Sequence, residues 1–155
     1  MCIRDSSYAK LRFDDRSIAT LKTHLGKLDD ALARALCWAS IWDMHRDAEI
    51  SSSDFIEIAL NGLAGETDDA IVNIVLMQLN TSVEAYAKDS NRAAYREKLA
   101  NGLWALTQNS APGSDLQLLI SRAFAINAQT PEQTAKIREL LNGGAPGLKV
   151  DTDLR

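Results

Sequence analysis

Residues 114–144 read SDLQLLISRAFAINAQTPEQTAKIRELLNGG, and this stretch marks both ends of two successive helices. Ser114 is a capping residue ahead of Leu116, Leu119, Ala123 and Ile126, which recur at helical spacing. Thr130-Pro131-Glu132-Gln133 then combines a capping hydroxyl, a proline at the first helical position and a glutamine at the third. The second helix carries Ile137, Leu140 and Leu141 and stops at Gly143-Gly144, where glycine ends a helix at no steric cost. A short polar link between two such helices makes an antiparallel pair.

The same punctuation runs outward through the chain. Asp15 opens a series of Ile18, Leu21 and Leu25 that ends at Gly26. Asp29 or Asp30 opens a helix through Leu32, Leu36, Ala39 and Trp42 to about Arg46. Ser51, with Asp54 three residues on, starts one through Phe55, Ile58 and Leu63. Thr67, followed by Asp68 and Asp69 at the positive end of the helix dipole, starts a stripe of Ile71, Val75, Leu79, Val83 and Tyr86. Ser90 starts the helix of Leu99, Leu103 and Leu106, which stops before Pro112. Asp151 would cap a further element at the chain's end. Taking every second cap, Asp15, Ser51, Ser90 and Thr130 are 36, 39 and 40 residues apart. A two-helix unit recurring near forty residues is the spacing of HEAT- and armadillo-like repeats. The expected fold is therefore all-α, a helical-repeat solenoid of about seven antiparallel helices. A compact up-down bundle has similar helix lengths and stays open as the alternative.

Composition agrees with helix. Ala and Leu supply 22 and 20 of the 155 residues against four Val, and charged residues make up 25%. The net charge of −4, with Lys and Arg scattered, argues against nucleic acid and against anionic membrane as partners. The longest apolar stretch, Ala31 to Trp42, is interrupted by Arg34 and Ser40 and is too short to span a bilayer. Met1 to Ser6 lacks the apolar core of a signal peptide. Cys2 and Cys37 stand in no metal or redox spacing, and Cys37 is expected as a buried small hydrophobe. The expected compartment is the cytoplasm.

Candidate chemistry is sparse. His45 lies four residues before Glu49, a spacing that can place two ligands on one helix face, yet no third ligand stands nearby and the segment reads as a solvated helix end. His24 sits beside another helix end. The acid pairs Asp14-Asp15, Asp29-Asp30 and Asp68-Asp69 fall at helix starts, where capping accounts for them. Trp38 and Trp42 share a face, with Arg34 one turn earlier able to stack on Trp38; the expected role is helix packing. Asp43 and Arg46 are placed to pair within or beside that core. Residues 54–63 and 68–87 imitate a helix-turn-helix, but the second helix opens with two aspartates that phosphates would repel. Gly143 to Gly147 follows no strand and reads as a turn, not a phosphate cradle. These readings leave no catalytic or metal-binding residue in the chain.

Several blocks in one order resemble a known family. They are Tyr8-Ala9-Lys10-Leu11-Arg12-Phe13-Asp14-Asp15-Arg16-Ser17, Leu32-Ala33-Arg34-Ala35-Leu36-Cys37-Trp38, Trp42-Asp43-Met44, Arg46-Asp47-Ala48-Glu49, Gly65-Glu66-Thr67-Asp68, Ala111-Pro112-Gly113-Ser114-Asp115 and Gly147 to Arg155. Together they resemble the endoplasmic-reticulum-aminopeptidase-like C-terminal domain of the gluzincin aminopeptidases, in particular bacterial aminopeptidase N. The resemblance implies a HEAT-like arc that covers the catalytic domain of the same chain and limits access to an internal chamber. The parent it implies is a zinc metallopeptidase, a hydrolase of peptide catabolism that removes N-terminal residues from peptides. The H-E-x-x-H zinc motif and the G-A-M-E-N segment of that family are absent here, so no catalytic residue carries over and the chain alone should be inactive. Residues 1–6 match nothing in the family and are expected to be a non-native remnant. Residues 7–155 are expected to be the helical C-terminal domain, truncated at its C-terminal end. A free-standing helical-repeat module that binds peptide or protein is the alternative function.

Overall fold

A computed structural model describes residues 10–143, and among them there is helix and no strand. The elements are α1 (Asp15–His24) with a 3-10 turn (Leu25–Lys27), α2 (Ala31–Arg46), α3 (Ser52–Leu63), α4 (Asp69–Thr81) with a π turn (Ser82–Tyr86), α5 (Asp89–Asn109), α6 (Asp115–Asn127) and α7 (Pro131–Leu141). The expected remnant at residues 1–6, Cys2, most of the Gly143–Gly147 turn and the cap at Asp151 lie outside the described residues.

Local chemistry sets most of the boundaries. The side chains of Asp14, Asp30, Ser51, Asp68, Ser114 and Thr130 each accept a hydrogen bond from a first-turn amide. Thr130 and Gln133 form the complete reciprocal box. Three caps differ from the sequence reading. Asp14 caps α1 in place of Asp15, and Asp68 caps α4 in place of Thr67. The cap position of α5 falls two residues early, at Lys88, which offers no side-chain bond, and Ser90 lies inside the first turn.

The helices stack in two layers. α1 packs on α3 and α3 on α5, whereas α2 packs on α4 and α4 on α6. α7 joins the first layer through Gln133, whose Nε2 donates to Asn101 Oδ1 at 3.0 Å, and through Lys136 Nζ, 5.8 Å from the Trp104 ring centroid. Stacking of every second helix is the solenoid-like arrangement, and the up-down bundle is set aside. The core between the layers holds Ile41, Phe55, Ile58, Val75, Leu79, Leu99, Leu103, Ile120 and Phe124.

Two faces differ from expectation. On α2 the expected inward stripe of Leu32, Leu36 and Ala39 is exposed, with Leu32 at 68%, and the helix buries Arg34, Trp38, Ile41, Met44 and His45 instead. This helix is apolar on nearly every side, so periodicity does not choose its face. Ile126 of α6 likewise points outward at 72% exposure, while Ile120 and Phe124 fill the core. The stripe expected to run unbroken to Tyr86 meets the π turn, closed by Ala87 N donating to Ser82 O at 2.9 Å. Val83 is buried as the stripe requires, and the extra residue in that turn shifts the phase so that Tyr86 leaves it.

Candidate functional site

The first polar centre is inside the protein. Arg34 sits in the first turn of α2 and Glu66 in the link between α3 and α4, with side chains 9% and 0% exposed. Arg34 Nη2 donates to Glu66 Oε1 at 3.2 Å and Nε reaches both carboxylate oxygens at 3.3 Å. Its Nη1 donates to the Leu28 and Asp29 carbonyls at 2.6 and 3.2 Å. Glu66 also accepts from Trp38 Nε1 at 3.1 Å and from the Thr67 and Asp68 amides at 3.0 and 3.3 Å. Burial pushes the Glu66 carboxyl up, but these donors outweigh it and hold the group below its ordinary value. Arg34 therefore does not stack on Trp38 as the spacing suggested; both converge on one carboxylate. The sequence places Glu66 in the Gly65-Glu66-Thr67-Asp68 block but gives it no role of its own. The available signal was an arginine inside an apolar run, which needs a buried partner.

A second cluster surrounds His45, which is 4% exposed and not at a solvated helix end. Its ring stacks on Phe55 at 4.8 Å and 5° and meets Tyr86 edge-on at 5.3 Å. Trp42 lies 5.7 Å from it and 5.3 Å from Phe55, in keeping with a packing role for the tryptophan. The rings that bury His45 come from α3, the next helix, and from the π turn some forty residues on, about which the spacing around His45 says nothing. Glu49 is turned away and pairs with Arg12 at 2.8 Å. His24 bonds Thr23 Oγ1 and the Thr20 carbonyl within α1. Among the described residues no three His, Cys, Asp or Glu side chains come together to hold a metal.

The remaining candidates are structural. The first or second member of each acid pair is a cap, Asp14, Asp30 and Asp68. Asp43 and Arg46 meet at 3.7 Å on the surface. Cys37 is half-buried beside Leu28 and Phe13, and burial pushes its thiol up. A groove of about 560 Å³ between α3 and α5 is lined by Leu60, Asn61, Gly102, Leu106 and Asn109 among others, with no ionisable group. No helix of the described residues is long and apolar enough to cross a membrane.

The surface differs sharply between the layers. Leu32 and Leu36 of α2, Ile74 and Met77 of α4 and Ile126 of α6 are all exposed. In the other layer no large apolar side chain of α1, α3 or α5 is exposed in this way, and α7 exposes Leu141 at its last residue. Charge on α2, α4 and α6 is confined mostly to the helix ends, at Asp43, Arg46, Asp69 and Asp115. Ala31 to Trp42 contains only buried Arg34, Ala70 to Thr81 contains no ionisable residue, and Leu116 to Asn127 contains only half-buried Arg122. The sequence reading missed this face because it assigned Leu32, Leu36 and Ile126 to the core.

The family model described as "ERAP1-like C-terminal domain" matches residues 3–155. The chain is 41% identical over 153 residues to an aminopeptidase N of Streptomyces lividans, covering 97% of this chain and 18% of that protein. It thus spans less than a fifth of the relative's length.

Proposed function

Since the chain belongs to the ERAP1-like C-terminal domain family, we propose that it is the non-catalytic helical domain of a zinc-dependent aminopeptidase N, covering the catalytic domain of the same polypeptide and limiting which peptides enter. The parent in this reading is a cytoplasmic metallopeptidase that removes N-terminal residues from peptides, and the two-layer stack is a HEAT-like arc. The observation that carries the covering role is the exposed apolar side chains along α2, α4 and α6, Leu32, Leu36, Ile74, Met77 and Ile126. Exposed apolar surface of this kind suits burial against protein. The buried Arg34–Glu66 pair adds stiffness, because it ties the entry to α2, α2 itself and the α3–α4 link to one point.

The zinc of this reading belongs to the catalytic domain. Among the described residues His24 and His45 lie in separate helices, each with Nδ1 bonded to a carbonyl of its own neighbourhood, and no third ligand joins either. The chain's part in catalysis is to shape access.

The test uses the full-length parent enzyme carrying Leu36→Glu and Met77→Glu. Weakened docking should raise kcat/KM for long peptides relative to an aminoacyl anilide, and should expose the domain junction to protease. An unchanged ratio together with unchanged protection would remove the covering role. Specific peptide binding by the isolated 155-residue chain would instead favour a free-standing interaction module.

A further inference from the structure

We propose that the connection between α2 and α3 is an acid-sensitive latch, closed while the His45 ring is neutral and opened when the ring takes up a proton at Nε2. The ring sits where the chain reverses. His45 Nδ1 lies 3.0 Å from the Ile50 carbonyl, an acceptor only, so Nδ1 carries the hydrogen and Nε2 the lone pair. That bond spans the turn from inside. The Glu49 and Ile50 amides both donate to Met44 O, at 2.9 and 3.3 Å. Ala48 in the same turn has φ 61°, a conformation its Cβ disfavours, so the turn is held against a backbone preference.

Nε2 is buried and has no hydrogen-bond partner. A proton added there would make a buried imidazolium with an unmet N–H. The charged groups around it are committed elsewhere. On α2 and its connection, Asp43 pairs with Arg46, Asp47 with Lys10 and Arg12, and Glu49 with Arg12. On α3, Asp54 and Glu57 face Lys22. On the π turn, Glu84 pairs with Arg96, and Tyr86 is the titratable group in ring contact with His45. The faces of Phe55, Trp42 and Tyr86 attract a cation, which opposes the effect. Burial wins: it holds the imidazole below its ordinary value despite the opposing pull of the Ile50 carbonyl.

The direction follows from linkage. A His whose folded value is lowered binds more protons once released, so the closed turn loses stability as pH falls below about 6.5. Release of the turn also frees Asp47 and Glu49, which hold Lys10 and Arg12 of the segment leading into α1. Acid would thereby loosen the segment leading into α1 from the α2–α3 connection.

Amide exchange in the 155-residue chain tests this, with His24 as the internal reference. The Glu49 and Ile50 amides should lose at least tenfold in protection between pH 7.5 and pH 5, after correction for intrinsic rates. Amides of Leu103 and Phe124 should keep theirs, and the midpoint should follow the His45 imidazole signal. His45→Gln retains an N–H for the Ile50 carbonyl without titrating and should abolish the dependence, as should His45→Phe; His24→Gln should leave it intact. A flat wild-type profile, the same loss in both His45 variants, or a loss shared by α5 and α6 overturns the latch.

Discussion

Arg34 and Glu66 meet across 32 residues of sequence in the protein interior, and every nitrogen of the guanidinium is bonded either to that carboxylate or to the carbonyls of Leu28 and Asp29. Replacing one member should cost about 3–5 kcal/mol in urea unfolding, because the other is left buried and unpaired. Arg34→Met with Glu66→Met together should cost clearly less than the sum of the single changes. An additive double-mutant cycle would show that the two side chains act independently.

The same carboxylate sets part of the acid limit. Its folded value lies below 4.5, so its contribution is fully present above that pH and fades as pH falls through the folded value. Stability measured from pH 6 to pH 3 should therefore fall less steeply in Glu66→Gln than in the wild type. Equal slopes would mean that the donors around Glu66 do not favour its charged form.

Gly26 and Gly65 bring the 3-10 turn against the end of α3, backbone to backbone: a Cβ on Gly65 would strike the Gly26 main chain, and one on Gly26 would strike the Gly62 carbonyl and crowd Gly65. Gly26→Ala and Gly65→Ala should each lose roughly 1–3 kcal/mol, the cost of overpacking a contact that cannot rotate away. Gly143→Ala meets no neighbouring atom and carries only the strain of φ 84°, of order 1 kcal/mol. Thermal midpoints of the three variants give the comparison, and the Gly143 change should be the mildest.

The apolar side of α2, α4 and α6 should make the isolated chain associate. Leu36→Lys with Met77→Lys should lower the association seen by sedimentation velocity while changing stability by no more than about 0.5 kcal/mol per site, as expected of exposed positions. Association that persists unchanged would place the sticky surface elsewhere.

Helix starts were the most legible part of this protein. Ser51, Ser114 and Thr130 cap the helices that the letters announce, because a cap bonds an amide two or three residues away. Where the reading slipped, from Asp14 to Asp15 or Asp68 to Thr67, two neighbouring residues could each serve. The forty-residue spacing of alternate caps carried the layered stack for the same reason: helix length and link length are local quantities. Blocks of residues in family order carried the kinship, which no contact was needed to see.

Facing was not local. An α2 that is apolar all round has no preferred side until Glu66, on another link, supplies the partner that lets Arg34 turn inward and sends Leu32 and Leu36 out. His45 became a buried group only when Phe55 and Tyr86 arrived from α3 and the π turn. The sequence by itself determined where most of the helices begin and end, since hydrogen bonds within a few residues decide that, and the spacing of alternate caps pointed to a stack without excluding a bundle. Which sides of α2 and α6 meet solvent, and which polar groups are sealed inside, was decided only by the tertiary structure, because burial of a charge or an imidazole depends on what distant segments bring to it.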